Sequence, residues 1–146
     1  MKAGIRRLAI LALLAILIGL SAVIGGCVGN DSTTGTQVIE NISTQEASVF
    51  IRENKDNQHF IILDVRTPDE YASGHLENAI NLDYYSATFR DEVNELDKQE
   101  KYLVYCRSGK RSEGALNIMK ELGFREVYNM LGGIVHWEAE GLPIVK

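Results

Sequence analysis

The chain has 146 residues, 45% hydrophobic and 24% charged, with a formal net charge of −5. That length holds one domain and a short appendage, and the composition is ordinary for a globular protein. Setting aside Lys2, Arg6 and Arg7 leaves 12 basic against 20 acidic side chains, a balance that disfavours nucleic acid as a partner.

Those three basic residues precede a run from Leu8 to Ile24 that is apolar apart from Ser21. Residues 1–26 therefore read as a signal peptide or membrane anchor and stand outside the fold. The run is just short of the ~20 residues that usually span a bilayer. It closes on Ile24-Gly25-Gly26-Cys27, which resembles the lipobox of prokaryotic lipoproteins. The resemblance implies cleavage before Cys27 and a lipid on its sulfur. An uncleaved N-terminal helix is the alternative. Either way the expectation is a membrane-anchored protein with its domain outside the cytoplasm, because the positive residues hold the N-terminus inside. Residues 27–37 are small and polar, a flexible linker to a domain at 38–146.

Val38–Ile42 reads as a short strand, and Ser43-Thr44-Gln45-Glu46 as a capping box that opens a helix. Lys55–Gln58 is a turn. The continuous apolar run Phe60–Val65 suits a parallel strand buried on both faces. Thr67-Pro68-Asp69-Glu70 starts another helix: threonine caps, proline fits the first turn and the two acids suit the positive helix end. Gly74 ends it. Ala79–Leu82 is a strand candidate and Phe89–Leu96 has helical spacing. Tyr102–Tyr105 is a strand, Ser112–Leu122 a helix closed by Gly123, Phe124–Tyr128 a last strand and Ile134–Glu140 a short helix with Trp137 in the core. Alternating strands and helices predict a single α/β domain with a mostly parallel central sheet flanked by helices.

The candidate site is the loop after the Tyr102–Tyr105 strand. Cys106 stands where the strand gives way to Arg107-Ser108-Gly109-Lys110-Arg111-Ser112. A thiol there faces backbone N–H groups and the positive end of a helix dipole, which both favour the reactive thiolate. Arg107, Lys110 and Arg111 add positive charge on an otherwise acidic body, suited to a small anion. Asp64 and Arg66 lie at another strand's C-terminal end, where open α/β sheets place their sites; contact with substrate is one reading, and the favoured one is that they pair with each other or with backbone and fix the loop's surroundings. His59, His75 and His136 are scattered and have no metal-ligand spacing, and His75 reads as a hydrogen-bonding turn residue.

Taken together, Asp64-Val65-Arg66, Glu70-Tyr71, Gly74-His75-Leu76, Ala79-Ile80-Asn81, the loop from Cys106 to Ser112, Gly132-Gly133 to Trp137 and Gly141-Leu142-Pro143-Ile144 resemble the single-domain rhodanese family over residues 38–146. The resemblance implies a rhodanese-like fold and sulfur transfer through a Cys106 persulfide. The donor would be thiosulfate or another persulfide, and the acceptor cyanide or a thiol. Backbone amides from Arg107 to Ser112 would form an anion nest. Lys110 and Arg111 would attract the sulfonate end of thiosulfate, with Arg107 either joining them or facing solvent. Ser112 would donate to the sulfur and cap the next helix. No cofactor or metal is required.

Cysteine phosphatases and arsenate reductases are related, but need arginine at the sixth position after the cysteine. Here that position is Ser112, and Arg111 is one residue short, so the loop is sized for sulfur rather than a phosphoryl group. A non-catalytic binding module and a sulfur-relay or redox carrier serving a membrane partner are the other readings. The cysteine in its cationic loop argues against the first, and the sequence leaves the second open.

Overall fold

The computed structural model describes residues 36–146. The expected anchor, Cys27 and most of the linker fall outside them. Among the described residues no helix is long and apolar enough to cross a membrane.

Five strands build one sheet: β1 (Val38–Ile42), β2 (Phe60–Asp64), β3 (Ala79–Asn81), β4 (Lys101–Tyr105) and β5 (Glu126–Met130). Their order is β1-β5-β4-β2-β3 and every pairing is parallel. Parallel neighbours need crossovers, and helices supply them: α1 (Thr44–Glu53), α2 (Pro68–Ser73), α3 (Phe89–Asn94), α4 (Lys110–Glu121) and α5 (Gly133–Ala139). The α/β expectation holds, and the sheet is wholly rather than mostly parallel.

β4 is the central strand, between β2 and β5, and Tyr102 through Tyr105 are all buried. Strand side chains alternate between faces. Tyr102 and Val104 therefore join Leu63, Ala115, Leu116, Met119 and Phe124 on one face, and Cys106 follows them there. Leu103 and Tyr105 join Ile62, Ala79, Met130, Ile134 and Trp137 on the other. Trp137 donates its indole N–H to Pro143 O at 2.8 Å.

Local rules set the helix starts. The Ser43 side chain accepts from Glu46 N, and Glu46 reaches back to Ser43 N at 2.7 Å. Thr67 and Glu70 make the same box at α2, with Pro68 in the first turn. Several boundaries shift by a residue or two from expectation, and two of the shifts have a backbone cause. α4 opens at Lys110 with Gly109 as its N-cap, so Ser112 lies inside the helix and does not cap it. β5 starts at Glu126 rather than Phe124. The Phe124 N–H closes the end of α4 on Met119 O, and the Arg125 N–H bonds Lys98 O, so neither joins the sheet ladder.

The central strand should carry much of the stability. Leu103→Ala, at a fully buried site, is expected to lower the unfolding free energy by about 2–5 kcal/mol. Val49→Ala, on the surface of α1, should stay within about 0.5 kcal/mol. Urea denaturation of both variants checks the contrast.

Candidate active site

Cys106 lies one residue beyond β4, at the carboxyl end of the sheet, and is 1% exposed. It is the free cysteine among the described residues. The loop must turn sharply to let α4 begin four residues later. Gly109 makes that turn at φ +93°, where a side chain is strained and a Cβ would lie 3.1 Å from Gly132 N. The turn aims the Gly109 N–H at Cys106 Sγ, 3.1 Å away. Ser112 Oγ is 3.5 Å from the same sulfur and 3.0 Å from Gly109 O. The hydroxyl has one proton and two acceptors in reach, so it can turn toward the sulfur when the sulfur is charged.

Burial pushes the Cys106 thiol up. The Ser112 hydroxyl and the N–H groups of Ser112, Ser108 and Gly109 pull it down and prevail, so the thiol sits below its ordinary value. The loop's carbonyls are tied off on the far side. The Ile134 N–H donates to Cys106 O at 2.9 Å and the Val135 N–H to Arg107 O at 3.1 Å. The first turn of α5 thus holds the loop from behind. Gly133 permits this approach, because a Cβ there would lie 2.3 Å from Cys106 O, at φ +57°.

The three loop cations do not act alike. Arg107 and Lys110 are exposed and belong to none of the ion pairs among the described residues. Ser108 is exposed beside them. Arg111 is turned to α2, where its two terminal nitrogens meet the two Glu70 carboxylate oxygens at 2.7 and 2.8 Å. Its guanidinium also lies 5.3 Å from the centre of the Tyr85 ring. Hydrogen bonds from Arg111 hold the Glu70 carboxyl down at about 2, against an opposing push from burial and with help from the Thr67 N–H. In the sequence Glu70 is a helix-end acid and part of a family motif; its partner 41 residues away carries no local signal.

Asp64 and Arg66 form a buried pair at the end of β2. Arg66 Nε lies 3.0 and 2.9 Å from the two carboxylate oxygens of Asp64, and a terminal nitrogen 2.6 Å from Oδ2. The same Arg66 side chain donates to Gly74 O at 2.6 Å, and Asn81 Nδ2 donates to the carbonyls of Asp64 and Arg66. The bonds to Gly74 and from Asn81 tie the end of β2 to the end of α2 and to β3, which is a supporting role. His75 Nδ1 is 3.1 Å from Tyr71 O and its ring stacks on Tyr71 at 3.8 Å, a turn contact.

Two outcomes test this geometry. A group lowered on folding loses protons at lower pH than in the unfolded chain, so the alkylation midpoint of Cys106 should lie below that of the same chain in urea. Gly133→Ala should move it upward by roughly half a unit or more, as the nest is pushed apart. The Glu70 carboxyl is about 2 in the fold against 4.5 free. Its stabilisation is therefore present above pH 4.5 and lost as pH falls toward 2. Glu70→Gln should cost about 1–2 kcal/mol at pH 7, allowing for solvent screening, and much less near pH 2. Urea midpoints at both pH values check it.

Residues 47–140 match the family described as "Rhodanese-like domain". A sulfurtransferase of Allochromatium vinosum is 37% identical over 90 residues, covering 62% of this chain and 82% of the relative. The thiosulfate sulfurtransferase GlpE of Coxiella burnetii is 37% identical over 79 residues, 54% of this chain and 72% of the relative. A rhodanese-related protein of Thermoplasma volcanium superposes with a TM-score of 0.60 at 32% identity, over 73% of this chain and 97% of that one. A strand-helix alternation with a cysteine loop at the carboxyl end of its central strand, and relatives of this kind across most of their own lengths, lead to one assignment: the chain belongs to the rhodanese-like family and has sulfurtransferase relatives.

Proposed function

We propose that the protein is a sulfurtransferase in which Cys106 carries sulfane sulfur as a persulfide. The observation that carries this reading is the sulfur's seat: Cys106 Sγ is buried, yet it accepts the Gly109 N–H at 3.1 Å and has the Ser112 hydroxyl at 3.5 Å. In the first half-reaction the thiolate attacks the outer sulfur of a donor. The donor's S–S bond breaks, its electron pair leaves with the rest of the donor, and a new S–S bond forms on Cys106. In the second, a thiolate or cyanide attacks the outer sulfur and the pair returns to Cys106 Sγ. This is covalent catalysis with ping-pong kinetics. The nest's N–H groups serve the anion on either sulfur.

Phosphoryl transfer fits this loop poorly. Ser112 stands where the oxyanion-binding arginine would be, and Arg111 is engaged by Glu70. The proposed place of action is the outer face of a membrane. Lys2, Arg6, Arg7 and the apolar run support that, with Cys27 as lipid site or with an uncleaved helix as anchor. The mass of the membrane-extracted mature chain separates the two.

Incubation with thiosulfate or a thiol persulfide should add the mass of one sulfur atom to Cys106. Cys106→Ser should keep the fold by circular dichroism and lose sulfur transfer by about a thousandfold or more. A serine variant with substantial turnover would defeat the mechanism.

A further inference from the structure

The Arg111–Glu70 pair bears on which donor the loop accepts, an inference that rests on the sulfurtransferase reading above. Loading from thiosulfate is Cys106–S(−) + S–SO3(2−) giving Cys106–S–S(−) + SO3(2−). The donor S–S bond breaks, its pair leaves on sulfite, and no proton moves. Loading from an organic persulfide is Cys106–S(−) + R–S–SH giving Cys106–S–SH + R–S(−). The donor S–S bond breaks again, its pair leaves on the thiolate, and the proton stays on the transferred sulfur. The first reaction gathers three negative charges at the loop and the second gathers one.

Charge in the loop's surroundings decides between them. Arg111 is one of the two cations expected to attract the sulfonate, but both its terminal nitrogens face Glu70. Its charge is offset by a carboxylate that would repel a nearby sulfonate. Arg107 and Lys110 remain, with exposed side chains in high dielectric.

An aromatic ring also stands at the edge of the loop. Tyr85 lies against Arg111 and is 69% exposed. A sulfite leaving group gains nothing from such a ring, whereas the carbon body of a thiol does.

We infer that Glu70 sets donor class: by holding Arg111 against α2 and offsetting its charge it makes small organic persulfides, R–S–SH, better donors than thiosulfate. Glu70 touches neither donor and acts through Arg111 as a positioning residue.

The test is pre-steady-state loading of Cys106 in the full-length chain, followed by quenching and mass spectrometry, with thiosulfate and with cysteine persulfide as donors. The wild-type chain should load faster from cysteine persulfide. Glu70→Gln keeps a side chain suited to the α2 capping box, so the fold should hold. It frees Arg111, and the ratio of the two loading rates should move toward thiosulfate by roughly tenfold, the size of one charge-assisted contact. A loss of fold alone would slow both donors and leave that ratio in place. The double variant Glu70→Gln with Arg111→Gln removes both charges and should keep the wild-type ratio. A ratio unmoved by Glu70→Gln, or a double variant that loses thiosulfate loading tenfold against persulfide, overturns the role of Glu70. Faster wild-type loading from thiosulfate overturns the donor class. No loading of Cys106 from either donor would instead overturn the sulfurtransferase reading itself.

Discussion

A negative sulfur under the surface of a protein must find hydrogen-bond donors or give up its charge. Most of what surrounds Cys106 answers that requirement. Three backbone N–H groups and one hydroxyl offset the cost of burial. Backbone donors cannot be supplied one at a time; the chain has to curl around the sulfur so that several point inward together. Gly109 in its left-handed conformation makes the curl, and the start of α4 fixes its far end. The loop's carbonyls then face away from the sulfur, and the N–H groups of Ile134 and Val135 receive them. The nest at the end of β4 and the glycine pair at the start of α5 are one device built from two distant stretches.

Two ion pairs hold the walls, and they differ in kind. Asp64 and Arg66 are within two residues of each other, both buried, and their hydrogen bonds reach Gly74 and Asn81. Removing one partner would strand the other charge in the core, which costs about 3–5 kcal/mol. Arg111 and Glu70 are half-covered and link α4 to α2. Their contribution to stability is smaller, but the Arg111 charge is felt at Cys106, so in the proposed reaction the pair's main effect is on charge. One pair supports the scaffold; the other, in the proposed reaction, sets the field the donor meets.

These particulars mark what could be read in the sequence. β4, the cysteine at its end, the two capping boxes and the parallel α/β class all rest on short-range pattern, and all are present. The pairing of Asp64 with Arg66 was legible because the two lie two residues apart. The Glu70–Arg111 contact was not, because 41 residues separate the partners and nothing local distinguishes a helix-end glutamate that also binds an arginine. The start of α4 was misplaced for a related reason. Ser112 has the chemistry of a cap, but a glycine in the left-handed region three residues earlier in the chain, Gly109, leaves the helix free to begin at Lys110. β5 was misplaced because Phe124 is as apolar as a strand residue, while its N–H is used to close α4. Patterns of side-chain hydrophobicity do not report where a backbone donor goes.

The same contrast separates this loop from one built to bind a phosphoryl group. A tetrahedral oxyanion needs an arginine fork facing the nucleophile, so that charge neutralisation and geometry arrive together. Moving that arginine one residue nearer the cysteine changes the helix face on which it emerges by roughly 100°, given 3.6 residues per turn. On this chain the displaced face looks at α2, where Glu70 already stands as part of a capping box. Loop length alone thus exchanges an arginine aimed at substrate for one aimed at scaffold. The serine left facing the sulfur offers a single, rotatable proton. A sulfur anion can use that proton, and a dianionic phosphoryl group would need far more.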